Sequence, residues 1–341
     1  MAITFSKSSG LNDDLWKVTD TTLRMVMQDT DNEKNNDDEL VKAMYNVKKS
    51  KKFGEKIGSM TEFANFEAVD EGNEYVQDEL QAGFSKLIEH TPFLKGFVCT
   101  REARDDGQID MMKVAAANFV RAYKRSRAQF ASDALVSEGA TFTFGSKSGL
   151  DKTTGDGKGL FDTEHKYKVA SLSTANQSNV FTNAFGNDDT MLSRLANIGR
   201  NFKNQSGQVM GYTFDTIIIP GNTPNLEKVV KKIIRTDLQV GSTNNDINTE
   251  KGLWKLIINH RWEAASGTEP YILMSSEANR ELQGNLFYDR VPLDVMDEVQ
   301  IKTRNLEWSG YCRFSAGFGA WQHVILGGAK VSSKISVIEN L

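Results

Sequence analysis

Cysteine is scarce in this chain. Of 341 residues only 2 are cysteine, Cys99 and Cys312, far apart in sequence. That excludes a disulfide framework and a clustered zinc site, and it predicts a reducing setting with both thiols as small buried apolar residues. Histidine is scarce too: 4 in all, His90, His165, His260 and His323, none with a second histidine or cysteine at metal-ligand spacing. No apolar run approaches the ~20 residues of a membrane span. The first residues, Met1 to Ser6, lack both the basic start and the apolar stretch of a signal peptide, so the expectation is a soluble chain made in the cytosol. Excess positive charge is absent as well. The balance of 45 acidic against 41 basic residues, net −4, argues against a dedicated nucleic-acid binder, which is usually strongly basic. What is present is length, enough for two domains or one large elaborated one, with a core that needs no staples.

Four regions stand out along the chain. Leu11 to Met27 has the spacing of an amphipathic helix, with Asn12 or Asp13 near its cap. An acidic run, Asp29 to Glu39, follows it, and Lys48, Lys49, Lys51 and Lys52 form a basic cluster. A run that rich in charge is expected to stay solvated, or to act as an extended arm. Residues 53 to 100 read as β. Phe53, Ile57, Met60, Phe63, Phe66 and Val69 alternate loosely with polar residues, Asp70-Glu71-Gly72-Asn73 is a turn signal, and Tyr75, Val76, Leu80, Phe84, Leu87 and Ile88 continue beyond it. A two-stranded ribbon of that length is marginal alone and must lean on another surface. The strongest helix spans about 105 to 138, with Ile109, Met112, Ala116, Phe119, Tyr123, Phe130 and Ala134 on one side. Helices and strands then alternate: a helix over Met191 to Phe202, a buried strand at Thr216 to Pro220, a helix over Asn225 to Ile234, strands at Leu253 to Ile258 and Tyr271 to Met274, and strand-rich sequence from Val299 onward.

No segment demands catalysis. The Gly-rich stretch from Gly145 to Gly159 fails as a phosphate loop, because Gly157-Lys158 is followed by Gly159 and no glycine stands five places earlier. It fails as a calcium loop, with Asp156 where glycine is required, and as a hydrolase elbow, with Lys147 at its centre. The carboxylates Asp294, Asp297 and Glu298 can be posed as an acid/base pair, but among 45 acids such clusters arise by chance. The Lys48 to Lys52 cluster has no interleaved aromatics for base stacking and supports only weak, salt-sensitive phosphate contact. An arm, a ribbon and a long rod, each needing surface from elsewhere, are the profile of an assembly subunit.

The order of these features resembles the major capsid proteins of tailed bacteriophages, particularly the Mu-like major head proteins. The likeness lies in the ribbon followed by the long helix ending at Gly139, and in Gly157-Lys158-Gly159-Leu160-Phe161-Asp162-Thr163-Glu164-His165. It continues in Thr216 to Pro220 leading into a helix, in Gly241 to Asn248, and in Tyr311-Cys312-Arg313-Phe314-Ser315-Ala316-Gly317-Phe318 before Trp321. One departure is Lys166, where relatives often carry proline. The resemblance covers about residues 50 to 328 and implies an α+β chain of the Hong Kong 97-type capsid fold. Residues 1–52 would be an N-terminal arm and 53–100 an extended β-hairpin loop. Residues 101–185 and 285–341 would form a peripheral domain with a spine helix at about 106–138, and 186–284 an axial domain.

The function so implied is structural and non-enzymatic, with no cofactor: a subunit that assembles with itself into pentamers and hexamers, closing into an icosahedral head around genomic DNA. Its location would be the virion, after assembly in the host bacterial cytoplasm. Portal, scaffold or decoration proteins would be further partners, contact with packaged DNA would be non-specific, and no membrane is involved. An encapsulin-like cellular nanocompartment shell and an α/β enzyme are the alternatives. The residues expected at contacts between subunits are Phe63, Phe66, Tyr75 and Phe84 on the ribbon, the lysines Lys48, Lys49, Lys51 and Lys52, and the acids Asp37, Asp38 and Glu39. The acidic and basic stretches are expected to meet across subunits, and removing residues 1–40 is expected to impair assembly while leaving a folded chain.

Overall fold

The computed structural model describes residues 3–5, 14–61, 63, 65, 66, 68–72, 74, 77, 82–168, 176–240 and 246–328. In chain order the elements are β1 (Thr4–Phe5), α1 (Asp14–Asn32), α2 (Asn36–Met44), β2 (Asn46–Lys49), β3 (Gly54–Met60), β4 (Ala82–Glu89), β5 (Thr91–Cys99), α3 (Arg101–Asp105) and α4 (Ile109–Val136). They continue with β6 (Thr141–Phe144), β7 (Lys147–Asp151), β8 (His165–Lys166), β9 (Asn176–Gln177), α5 (Thr190–Arg200), β10 (Thr216–Pro220) and α6 (Pro224–Arg235). The last are β11 (Lys255–Asn259), β12 (Tyr271–Met274), α7 (Ser276–Glu281), β13 (Asn285–Val299), β14 (Leu306–Phe318) and β15 (Val324–Gly327).

The chain divides into two compact units, each assembled from three separate stretches. The first comprises Met1–Glu55, Glu89–Ala131 and Phe287–Ala316. Its sheet has the order β1-β13-β14-β5, with β2 also pairing to β13. β5 and β14 run antiparallel, from Thr91 opposite Phe314 to Cys99 opposite Leu306. One core cluster gathers Trp16, Leu23 and Met27 of α1, Met112, Ala116, Phe119 and Val120 of α4, and Leu293, Val295, Leu306 and Trp308 of the sheet. Phe93 stacks on Phe314 with centroids 4.3 Å apart, and Phe130 meets Phe93 edge-on at 5.5 Å. Each fully buried side chain such as Leu23 or Met27 contributes about 1.5–3 kcal/mol relative to exposure.

The long helix is present, with a difference at its start. Its 28 residues make a rod of roughly 42 Å at ~1.5 Å per residue. The expected start at Asp105 instead lies in the separate turn α3, because Gly107 adopts φ +73°, a left-handed backbone that interrupts the helix before Ile109. The N-terminal region differs more. Residues 14–44 are not an extended arm: α1 and α2 bury Leu23, Met27, Leu40, Val41 and Met44 within this unit.

The second unit comprises Lys56–Ile88, Ser132–Leu286 and Gly317–Leu341. Its main sheet has the order β11-β10-β12-β15, with β10 and β11 parallel and the other pairs antiparallel. All five residues of β10 are buried, which is why it reads as an unbroken apolar run rather than an alternation. α6 lays Leu226, Val230, Ile233 and Ile234 into the core and starts with Pro224, whose missing N–H costs nothing there. The ribbon β3–β4 and the small hairpins β6–β7 and β8–β9 complete it. Gly145 and Gly149, in the stretch that fails as a phosphate loop, belong to the β6–β7 hairpin, where both take positive φ.

Candidate assembly surfaces

In the first unit the acidic stretch is neutralised by the long helix. Asp29 and Asp31 fall in the last turn of α1, where the helix dipole disfavours anions. The counter-charge is Lys124 of α4, its side chain only 2 % exposed. Its Nζ donates to the carbonyls of Thr30, Asp31 and Glu33 at 3.2, 2.7 and 3.1 Å, closing the C-terminal end of α1. The same ammonium lies 3.9 Å from the Asp31 carboxylate and 3.6 Å from that of Asp38. Three residues on along α4, Arg127 presents its fork to Asp289 on β13, with Nη2 to Oδ2 at 2.7 Å and Nε to Oδ1 at 3.2 Å. Its remaining Nη1 reaches Asp38 at 3.0 Å, and the guanidinium lies over the Phe287 ring at 4.9 Å. Burial works against the charge on Arg127, but Asp289 outweighs it and holds the guanidinium's pKa above its ordinary value. Burial pushes the Asp31 carboxyl up, opposed by Lys124 and by the Ile3 N–H that donates to it at 3.1 Å.

Asp37, Asp38 and Glu39 occupy the first turn of α2, the end of a helix that favours anions, and the Asn35 side chain caps the Asp37 N–H at 3.0 Å. Asp37 is buried, Asp38 is engaged with Lys124 and Arg127 of the same chain, and Glu39 remains exposed. Of the three acids expected to reach another subunit, two are therefore occupied at home. Lys48, Lys49, Lys51 and Lys52 are all exposed, and Lys52 is 3.7 Å from Glu55. The posed acid/base group on β13 does not converge. Asp297 pairs with Arg24, Asp294 lies in register with Thr4, and Glu298 is exposed, since neighbours on a strand face opposite ways.

In the second unit the ribbon carries a cluster of exposed apolar side chains. Met60, Phe63, Phe66 and Val69 are 72, 60, 107 and 53 % exposed. Phe84 behaves differently: it is half-buried on β4, with the Lys168 Nζ 5.2 Å from its ring. Tyr75 lies outside the described residues. The turn after the β6–β7 hairpin is firmly held. Asp156 accepts from the Thr154 hydroxyl, from the Lys158 N–H at 3.1 Å, and pairs with His165 Nδ1 at 2.7 Å. These bonds hold its carboxyl below the usual range even though burial opposes them. The His165 ring stacks on Trp321 at 4.3 Å.

The remaining titratable groups are structural in their surroundings. His90 bridges Ser315 and Ser50 at 2.8 and 2.9 Å. His323 pairs with the Asn285 amide oxygen at 2.7 Å, and complete burial drives its pKa down to about 3. Burial pushes the Cys99 and Cys312 thiols up to about 11 and about 12, so neither forms the reactive thiolate near neutral pH. Burial also lowers Lys152 to about 7 while its Nζ donates to the Ser137 carbonyl. Among the described residues no group of three or more His, Cys, Asp or Glu is placed to hold a metal ion, and no helix is long and apolar enough to cross a membrane.

Comparison of the sequence with family models and with curated proteins gives no match. Comparison of the structure with solved structures gives many. A chain of Mycobacterium phage Patience aligns over 98% of this chain and 94% of its own length, with TM-score 0.54 and 10% identity. The capsid of the native GTA particle aligns over 86% and 90%, with TM-score 0.53 and 12% identity. A chain of Gordonia phage Cozz aligns over 85% of each, with TM-score 0.51 and 8% identity. At such identities the likeness is one of fold, and it runs nearly end to end. The chain therefore has the α+β, Hong Kong 97-type fold of phage capsid proteins.

Proposed function

We propose that this chain is a major capsid subunit, whose copies associate into pentamers and hexamers and close into an icosahedral head around phage genomic DNA. The observation that carries the reading is the likeness of fold to chains of phage particles and to the capsid of the native GTA particle, the latter over 86% of this chain and 90% of its own length. The exposed ribbon supports it. Phe63 and Phe66 hold large aromatic surface in water, and covering a few hundred Å2 of it at ~25 cal/mol per Å2 contributes several kcal/mol gross per contact. Association costs reduce that figure, and repetition around a closed shell restores collective strength. The role is structural rather than catalytic, the location is the virion after assembly in the host bacterial cytoplasm, and portal, scaffold or decoration proteins complete the particle. With a net charge of −4 the wall holds DNA without a sequence-specific site.

The test is negative-stain electron microscopy of the purified chain after a sizing column. Closed shells or capsomer-sized rings are expected. A monomer or dimer under every salt condition, with no rings, would overturn the reading. Phe63→Ser with Phe66→Ser is expected to reduce particle yield while the melting temperature of the unassembled chain stays within about 2 °C, because both side chains are already in water.

A further inference from the structure

In the first unit one histidine ties together segments that are far apart in sequence. His90 stands directly before β5 and is 4 % exposed. Both ring nitrogens are engaged: Nδ1 with the Ser315 hydroxyl of β14 at 2.8 Å, and Nε2 with the Ser50 hydroxyl at 2.9 Å. The neighbours fix which nitrogen carries the proton. Ser50 has one hydroxyl proton and donates it to Glu55 Oε1 at 2.8 Å. Its oxygen therefore accepts from the ring, which places the single proton of neutral His90 on Nε2. Nδ1 is left to accept from the Ser315 O–H. The neutral ring thus satisfies two serines that are themselves 4 and 2 % exposed.

Ser50 is the buried anchor of a strap. Residues 50–53 carry the chain from β2 into β3, the first strand of the ribbon. Lys51, Lys52 and Phe53 are exposed. The Ser50 N–H donates to the Asp289 carbonyl at 3.1 Å, and the Lys52 N–H to the Ser50 hydroxyl oxygen at 3.2 Å. Arg290 Nε donates to the Lys52 carbonyl at 3.1 Å, and the Arg313 guanidinium lies 5.5 Å from the Phe53 ring. A segment with one buried side chain and exposed neighbours opens locally at small cost.

A second proton on His90 undoes this arrangement. Nδ1 becomes a donor facing the hydroxyl that donated to it, so the Ser315 proton loses its acceptor. Burial, then Arg313 and Arg290, work against the positive ring, with the Glu55 carboxylate opposing them, and together they hold the His90 pKa below its ordinary 6.5. Arg313 is held close, its Nε donating to the His90 carbonyl at 3.2 Å. Glu55 is shared with Lys52 at 3.7 Å, the Asp289 carboxylate is taken by Arg127, and Tyr288 meets the ring edge-on at 6.1 Å. We propose that His90 is an acid-sensitive latch: neutral, it ties Ser50 to Ser315 and closes the strap; protonated, it releases the strap where the chain enters the ribbon. The latch goes beyond the capsid reading and belongs to the single folded chain, so it is tested without assembly.

The test is hydrogen exchange of the unassembled chain, corrected for the intrinsic pH dependence of amide exchange. Opening returns the ring to its ordinary 6.5, so the latch holds fully above that pH and weakens as pH falls below it. Protection of the Ser50 and Lys52 amides is expected to fall by up to about tenfold per pH unit on acidification, while amides 116–130 of α4 keep theirs. His90→Gln is expected to abolish that slope. Glu55→Gln is expected to keep it and move it to lower pH, since the carboxylate that favours the cation is gone. Strap protection that does not change with pH in the parent, or a slope that survives His90→Gln, would overturn the latch. Loss of α4 protection over the same pH range would also overturn it, by replacing local release with general acid unfolding. Where His90→Gln does not fold, the ring 15N shifts of His90 in the parent decide. They are expected to titrate together with strap opening, and a ring that stays neutral while the strap opens would overturn the proposal.

Discussion

Replacing Arg127 by methionine tests the charge network most directly. The change removes both bonds to Asp289, whose side chain is 2 % exposed, and the single bond to Asp38. Methionine fills much of the space but leaves the Asp289 carboxylate buried without a cation. Breaking a buried pair from one side costs about 3–5 kcal/mol, because the surviving charge is left uncompensated. At a urea dependence of about 2 kcal/mol per M, that moves the unfolding midpoint down by roughly 1.5–2.5 M. Hydrogen exchange of peptides 14–44 shows whether α1 and α2 loosen with the change. The companion variant adds Asp289→Leu. With both charges gone, the midpoint is expected to recover most of the loss, since a well-packed apolar pair can match a buried ion pair. An Arg127→Met midpoint within about 0.5 M of the parent, or a double variant no better than the single, would refute the reasoning.

Other outcomes follow from the same geometry. Lys124→Met is expected to cost about 2–4 kcal/mol, since the last carbonyls of α1 lose their donor and Asp31 its cation, while Asp38 keeps Arg127; unchanged exchange protection at residues 28–33 would contradict it. Deleting residues 1–40 is expected to unfold the first unit rather than leave a folded, assembly-defective chain, because Leu23, Met27 and Leu40 are core residues; a truncated chain with a native melting transition would refute this. His323 titrates at about 3 in the fold against an ordinary 6.5. Its stability contribution is therefore complete above pH 6.5 and is lost as pH falls from there toward 3, by up to about 1.4 kcal/mol per pH unit. His323→Asn is expected to flatten that acid slope in melting curves between pH 7 and 4, and an identical slope would sink the assignment.

Much of the fold was legible where a periodic apolar pattern met its own partners within the chain. Ile109 to Ala134 announced α4, and the uniform Ile217-Ile218-Ile219 run announced a buried strand. The N-terminal region was misread because the acidic run was weighed by composition alone. Its cations lie some 90 residues away, at Lys124 and Arg127, and no local pattern reveals them. A local signal did exist. Asn35 followed by Asp37, Asp38 and Glu39, with Leu40, Val41 and Met44 at helical spacing, is the start of an amphipathic helix. Strand β13 was missed before Val299 because its first five residues are all buried, polar Asn285 and Asp289 included, so they show no alternation, while Asp294, Asp297 and Glu298 drew attention as possible chemistry. Among the proposed contact residues, Phe63 and Phe66 are exposed, whereas Phe84 is partly covered by its own unit, a distinction that one-dimensional alternation does not carry.

The interleaving of the two units bears on how the protein is made. Strand β5, ending at Cys99, has to wait for β14, which begins at Leu306, before it can pair. At ~5–20 residues per second a ribosome needs roughly 10–40 s to bridge that gap. Throughout that time the first unit lacks its central strands, and such long-range closure is intrinsically slow to nucleate. β12 likewise waits for β15, whose last residue is Gly327. A nascent chain on a polysome therefore has both units complete only once β15, ending at Gly327, has been made. Under the proposed assembly, a contact surface that needs both units is therefore complete only on chains that have passed Gly327.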